Sequence, residues 1–242
     1  MTRRFEIVFV DAVDTLLRVR GSVGALYAPI AARHGCAAKP DAIDAAFRHA
    51  ISSAPPPIFP DAIPPTFQEF ETAWWHDVVL RTFEPLGGVP EFEAFFPEVF
   101  ELFRTPEAWE LLPGARTALD ALRAEGRRLG IISEMDGRLF DVLGAFDLRE
   151  YFEPVVLSTR TGASKRDGAL FPMALARAAL PAASALHIGD SLTADVAGAR
   201  AAGMTAIWFA ANGGDAAPAD VPSVHGWDDV PARIRSLESA QT

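Results

Sequence analysis

The chain has 242 residues, 22 basic side chains against 32 acidic ones and a formal net charge of −10; half of the residues are apolar and 22% are charged. That balance excludes a disordered or fibrous chain, and it opposes the phosphate backbone of nucleic acid and anionic lipid surfaces, so neither is expected as a partner. A single cysteine, Cys36, excludes an intrachain disulfide and a cysteine-based zinc cluster and fits a reducing, cytoplasmic setting.

The opening run MTRRFEIVFVDAVD carries Arg3 and Arg4 ahead of apolar residues, but Glu6 and Asp11 interrupt it before an export signal is complete. Uncharged apolar stretches such as 203–214 fall short of the roughly 20 residues that span a bilayer, so a soluble chain is expected. Residues 5–10 (FEIVFV) are β-branched and aromatic, which suits a strand buried on both faces and ending at Asp11. Four later runs share that character: 128–133 (RLGIIS), 154–157 (PVVL), 185–188 (ALHI) and 205–209 (TAIWF). Helical stretches stand between them. One opens at Pro113-Gly114 and stops at Gly126, one covers 168–180 before Pro181, and one covers 193–202 before Gly203. The alternation predicts an α/β fold with a doubly wound parallel, Rossmann-like sheet and helices on both faces.

Between Leu17 and about Trp109 no strand is expected and helical spacing dominates. Phe67, Phe70, Trp74 and Val78 share one predicted face, and Phe92, Phe95, Phe96, Val99 and Phe103 share another. Thirteen aromatic side chains lie in this interval, enough for an apolar core of its own. The expected organisation is an α-helical cap domain at 18–108 inserted into a core made of 1–17 and 109–242. Six prolines within 55–65 predict a rigid linker between cap helices, with the PxxP spelling from Pro57 to Pro60 as the docking alternative.

In open parallel sheets ligands bind beyond the carboxyl ends of the strands. There the chain has Asp11-Ala12-Val13-Asp14-Thr15, then Ser133-Glu134, then Lys165 in the turn after the third run, then Gly189-Asp190-Ser191 with Asp195 following. A carboxylate nucleophile, a hydroxyl donor, a lysine and two further acids are the parts that magnesium-assisted phosphoryl transfer needs.

This ordered set resembles the haloacid dehalogenase superfamily of hydrolases, in the subgroup with a helical cap after the first motif. The resemblance implies a Mg²⁺-dependent phosphatase that acts on a small phosphorylated metabolite through an aspartyl-phosphate on Asp11. It makes Asp11, the Val13 carbonyl and Asp190 the Mg²⁺ ligands, with Asp195 holding the outer shell. It assigns Ser133 and the amides of Ala12 and Val13 to the phosphate oxygens, with Glu134 beside them, Lys165 to charge balance and Thr15 to fixing the loop. Only two lysines exist, and Lys165 falls on the motif position.

The departures from the family pattern carry information too. Phosphatases of the family usually have aspartate two residues after the nucleophile, to protonate the leaving group; Val13 moves no proton, which implies slow turnover restricted to good leaving groups such as aryl or acyl phosphates. Asp14 replaces a glycine, and strand alternation points it away from the side of Val13. Glu134 replaces a common asparagine, and a carboxylate beside bound phosphate is repulsive unless it is protonated or on the metal. Two alternatives follow: a catalytically weakened member that binds a phosphorylated ligand or partner, and a 2-haloacid dehalogenase, which Val13 suits but Asp190 and Asp195 do not. Phosphonate hydrolysis would need a cap lysine, for which Lys39 is the sole candidate.

Plainer roles are expected elsewhere. His187, on a buried run, reads as a core histidine bonded to backbone, and His34, His49, His76 and His225 read as surface side chains. Asp195 has a solvated helix surface as its alternative, Trp74 and Trp75 read as core aromatics, and Cys36 as an inert thiol.

Overall fold

The computed structural model describes residues 4–211 and 218–240; Arg3 and the end of the 203–214 stretch lie outside them. At its centre is β1 (Ile7–Val10), whose four side chains are wholly buried. Around it are β4 (Arg128–Ser133), β5 (Val155–Leu157), β6 (Ala185–Gly189), β7 (Thr205–Phe209) and β8 (Ser223–Val224), in the order β5-β4-β1-β6-β7-β8, all parallel. Alternation along β1 divides the core. Val8 and Val10 pack into the cluster with α5 (Ala115–Ala124), α6 (Leu139–Ala145) and α9 (Val230–Ser239), while Ile7 and Phe9 pack against α7 (Leu170–Ala178) and α8 (Ala197–Ala201). With β4 on one side of β1 and β6 on the other, the carboxyl end of β1 is a topological switch point, where a ligand crevice opens.

The five expected strands are present. The strands that sequence reading did not anticipate are too short to show a period: β2 (Leu17–Val19) pairs antiparallel with β3 (Trp109–Leu111), and β8 has two residues. The β2–β3 ribbon brackets the inserted helices α1 (Val23–Arg33), α2 (Pro40–Ser53), α3 (Phe67–Phe83) and α4 (Phe92–Leu102). Among the described residues no helix is long and apolar enough to cross a membrane.

The insertion has its own aromatic centre. Tyr27 of α1 lies 6.2 Å from the Phe83 and Phe95 rings and 5.7 Å from Phe103. Phe95, Phe96 and Val99 of α4 are buried as expected, but the face of α3 is rotated: Phe70 is 40% exposed and Glu71 only 3%. Phe70 leans outward onto Phe59 of the proline-rich segment, with ring centroids 5.7 Å apart, and leaves the inner position to a glutamate with core partners. His34 is not a surface side chain; it is buried, with Nδ1 3.2 Å from Glu91 and Nε2 2.6 Å from Glu98, and ties the end of α1 to α4. Those partners lie too far along the chain for local spacing to reveal.

Candidate active site

Asp11 follows β1 directly, and its N–H donates to the Ile188 carbonyl (2.9 Å), which extends the ladder to β6 by one bond. The Ala12 carbonyl then accepts from the amides of Leu16 (3.1 Å) and Leu17 (2.8 Å), closing a tight loop. Asp14 takes a left-handed backbone (φ 60°), which aspartate tolerates better than most side chains. That conformation breaks the extended alternation assumed from sequence, and the Asp14 charge acts on Asp190. Thr15 lies behind the loop: it is fully buried, its carbonyl accepts from Trp227 Nε1 (2.7 Å) and its hydroxyl has no partner among the described residues.

Lys165 is aimed by its own loop. The Asp167 carboxylate accepts from the amides of Ala169 (2.8 Å) and Ser164 (3.3 Å), and Ser164 Oγ accepts from the Asp167 amide (3.1 Å). Glu134 accepts from the Lys165 amide (3.3 Å), so this unexpected carboxylate has a local task in restraining the lysine. The Lys165 ammonium donates to Asp11 and, at 2.7 Å, to Asp195.

Asp195 is 2% exposed, so it is no surface acid. The helix expected at 193–202 begins as a wide π-type turn over Leu192–Val196, a feature common at functional sites, which brings the Asp195 carboxylate back to the Ser191 amide (3.1 Å) and His187 Nε2 (2.8 Å). His187 is therefore a core histidine with a side-chain partner, not a backbone one, and its other ring nitrogen has no partner among the described residues. Gly189 makes room for this arrangement: a Cβ there would lie 2.2 Å from Asp195 Cγ.

The electrostatics follow from three acids, Asp11 and Asp195 buried and Asp190 partly exposed, gathered around one ammonium. Burial pushes Asp11 up to about 8 against the pull of Lys165. Burial, with Asp195 and Asp14 nearby, pushes Asp190 up to about 6. Burial opposes ionisation of Asp195 as well, but Lys165 and His187 hold it well below the usual carboxylate range. Lys165 is raised, because its two carboxylates outweigh its burial. One carboxylate oxygen from each of Asp11, Asp190 and Asp195 lies within 4.8 Å of the others. This hard-oxygen set with surplus negative charge fits a cation of the Mg²⁺ kind.

Asp11, Val13, Ser133, Glu134, Lys165, Asp190 and Asp195 all face one cavity of about 520 Å³; Ala12 and Thr15 stand outside its wall. Ser133 is buried, and its Oγ accepts from the Met135 amide (3.1 Å). Lys39 is exposed at the start of α2 and away from the cavity. Trp74 and Trp75 are half-buried and line the cavity rather than filling a core, and Pro55, Pro56, Pro57 and Phe59 add part of the wall, so the proline-rich segment is more than a linker. Glu71, Asp136, Arg138 and Thr159 are among the polar wall residues not singled out from the sequence. Glu71 accepts from the Gly137 amide (3.0 Å) and Thr159 Oγ1 (2.7 Å). Asp136 accepts from Trp75 Nε1 (2.5 Å) and from Arg138 Nη2 (2.6 Å). The only sequence signals were the four-residue spacing of Glu71 and Trp75 on one helix and the nearness of Asp136 to Ser133-Glu134.

The model of the haloacid dehalogenase-like hydrolase family matches residues 5–203. Haloacid dehalogenase-like hydrolase domain-containing protein 3 of Mus musculus is 38% identical over 199 residues, covering 80% of this chain and 77% of that protein. Glyceraldehyde 3-phosphate phosphatase of Pyrococcus abyssi is 35% identical over 99 residues, 40% of this chain and 42% of that enzyme. Among solved structures, the HAD-hydrolase YfnB of Bacillus subtilis bound to magnesium superposes with a TM-score of 0.75 at 17% identity, covering 96% of this chain and all of that one, a likeness of fold.

Proposed function

The chain belongs to the haloacid dehalogenase-like hydrolase family, and from that premise we propose that it is a cytoplasmic, Mg²⁺-dependent phosphatase acting on a small phosphorylated substrate. The observation that carries this reading is the Lys165 ammonium held between Asp11 and Asp195, with Asp190 beside them at the switch point of the sheet.

In this reading an Asp11 oxygen attacks phosphorus in line with the departing oxygen and forms an aspartyl-phosphate, which water then cleaves. Lys165 pulls Asp11 toward its ionised form against its burial, and a buried ammonium also offsets phosphate charge. Ser133 and the amides of Ala12 and Val13 hold the phosphate oxygens. Asp11, Asp190 and the Val13 carbonyl would hold Mg²⁺, with Asp195 behind them, and the ion would supply neutralisation of charge on the transferring group. The helical cap keeps water from the reacting atoms and selects the substrate. The phosphatase named among the relatives supports the reaction class.

A second reading rests on Val13, which lines the cavity where a proton donor is usual in this family: a weakened enzyme that binds a phosphorylated ligand or partner. Mg²⁺-dependent phosphate release from an aryl phosphate separates the two, with wild type and Val13→Asp compared at equal folded concentration. The phosphatase reading expects measurable wild-type turnover, and a gain of about 10²- to 10⁴-fold in Val13→Asp on esters of poor leaving groups. Turnover confined to Val13→Asp moves the binding reading ahead, and metal-independent halide release from a 2-haloacid would replace both.

A further inference from the structure

We propose that the substrate is an aryl phosphate monoester, its ring held against the aromatic roof of the cavity; this rests on the phosphatase reading and adds the leaving group to it. The roof is built from aromatic rings packed on one another. Phe47 and Trp75 stack with planes 4° apart at 6.5 Å, and Trp74 stands perpendicular to Trp75 at 4.9 Å. Trp109 and Phe103 close the side nearer the β2–β3 ribbon.

What the roof withholds is equally informative. The indole N–H groups of all three tryptophans point into protein: Trp74 donates to the Pro55 carbonyl (2.9 Å), Trp75 to Asp136 and Trp109 to the Phe103 carbonyl (3.0 Å). Several polar side chains beside the rings are spent on protein partners. Arg138 is bound to Asp136 and the Phe100 carbonyl and lies over the Trp75 and Phe100 rings, Glu71 takes Thr159 and the Gly137 amide, and Ser52 is turned to the His49 carbonyl. A polyol in this space would have to break those bonds or leave its hydroxyls unpaired, which costs about 1–3 kcal/mol for each buried group. A planar ring meets the roof without either loss, and a volume of about 520 Å³ takes a small aromatic ester.

Val13 points the same way from the floor. With no proton donor at that position, the leaving oxygen must depart as an anion. A phenolate, whose conjugate acid has a pKa of about 10, does so far more readily than an alkoxide, whose conjugate acid lies near the ~16 of water. The Asp11–phosphorus bond forms as the phosphorus–aryl oxygen bond breaks; the electron pair leaves on the aryl oxygen, which takes a proton from solvent. Water then attacks phosphorus, restoring the Asp11 carboxylate and releasing inorganic phosphate and a proton, so that ester and water give phenol and phosphate.

The test compares phenyl phosphate and 1-naphthyl phosphate with acetyl phosphate, which is activated but has no ring, and with glycerol phosphate, in wild type, Trp74→Leu and Phe47→Leu. Aryl esters are expected to exceed glycerol phosphate in kcat/KM by about 100-fold. The aryl-to-acetyl ratio should fall about tenfold in either variant. Quenching of tryptophan fluorescence by phenylphosphonate, but not by methylphosphonate, reads the same contact without turnover. Equal use of aryl, acetyl and glycerol phosphates with unchanged ratios in the variants overturns the aryl assignment and leaves the phosphatase reading intact. No phosphate release from any of the esters overturns both.

Discussion

The floor and the roof of the cavity are built on opposite plans. The floor gathers three carboxylates and one ammonium beyond the ends of parallel strands, the ammonium donating to Asp11 and Asp195 with Asp190 beside them. The roof's indole N–H groups and its Asp136–Arg138 pair bond to protein partners, and aromatic rings line the cavity there. The difference separates two tasks. Charges left in tension beyond the strand ends suit bond making and breaking, while an aromatic surface whose polar groups are already bonded suits selection by shape and apolar contact.

The sharpest way to break the floor is Asp11→Asn. It should lower phosphate release by about 10⁴-fold or more while far-ultraviolet circular dichroism stays unchanged, because an amide at this place is no nucleophile. Gly189→Ala attacks the floor indirectly. Its methyl group would meet Asp195 Cγ at 2.2 Å and move that carboxylate off Lys165 and His187. The expected result is a roughly 10²-fold loss of turnover, with a smaller Mg²⁺-induced rise in Tm by scanning calorimetry.

Glu71→Ala separates roof from floor. It strips the Gly137 amide and the Thr159 hydroxyl of their acceptor and should cost about 1–3 kcal/mol in urea unfolding, with turnover affected less than by Gly189→Ala. The mildest test is pH. Asp190, pushed up to about 6, keeps a proton in the folded state at pH values where the unfolded chain has shed it. That group therefore favours the fold in acid, and its contribution is lost as pH rises through about 6. Mg²⁺ takes the ionised form, so its stabilising effect on Tm should be small near pH 5 and grow between about pH 6 and 7.

Sequence reading did best where function sits on backbone that folds locally. The runs that became β1, β4 and β6 end in Asp11, Ser133 and Asp190, and neighbouring parallel strands carry those three ends to one place. It did worst on α3, where the apolar spacing of Phe67, Phe70 and Trp74 suggested a packed face. The structure instead gives the inner position to Glu71, whose partners sit beyond β4 and β5. His34 was misjudged, and His187 was rightly placed in the core but given the wrong partner, for the same reason: a titratable side chain is defined by its partner, and theirs are Glu91, Glu98 and Asp195.

The sequence by itself determined the parallel α/β core, the helical insertion after its first strand and the polar residues at the strand ends. Period, β-branching and helix stops are properties of neighbours in the chain, and strand ends converge whatever the side chains do. Tertiary structure alone decided that Lys165 bridges Asp11 and Asp195, that a π-type turn folds Asp195 back over Gly189, and that three indoles turn their N–H groups inward. Those outcomes depend on the direction of individual side chains and on contacts between distant parts of the chain, and only the packed molecule sets both.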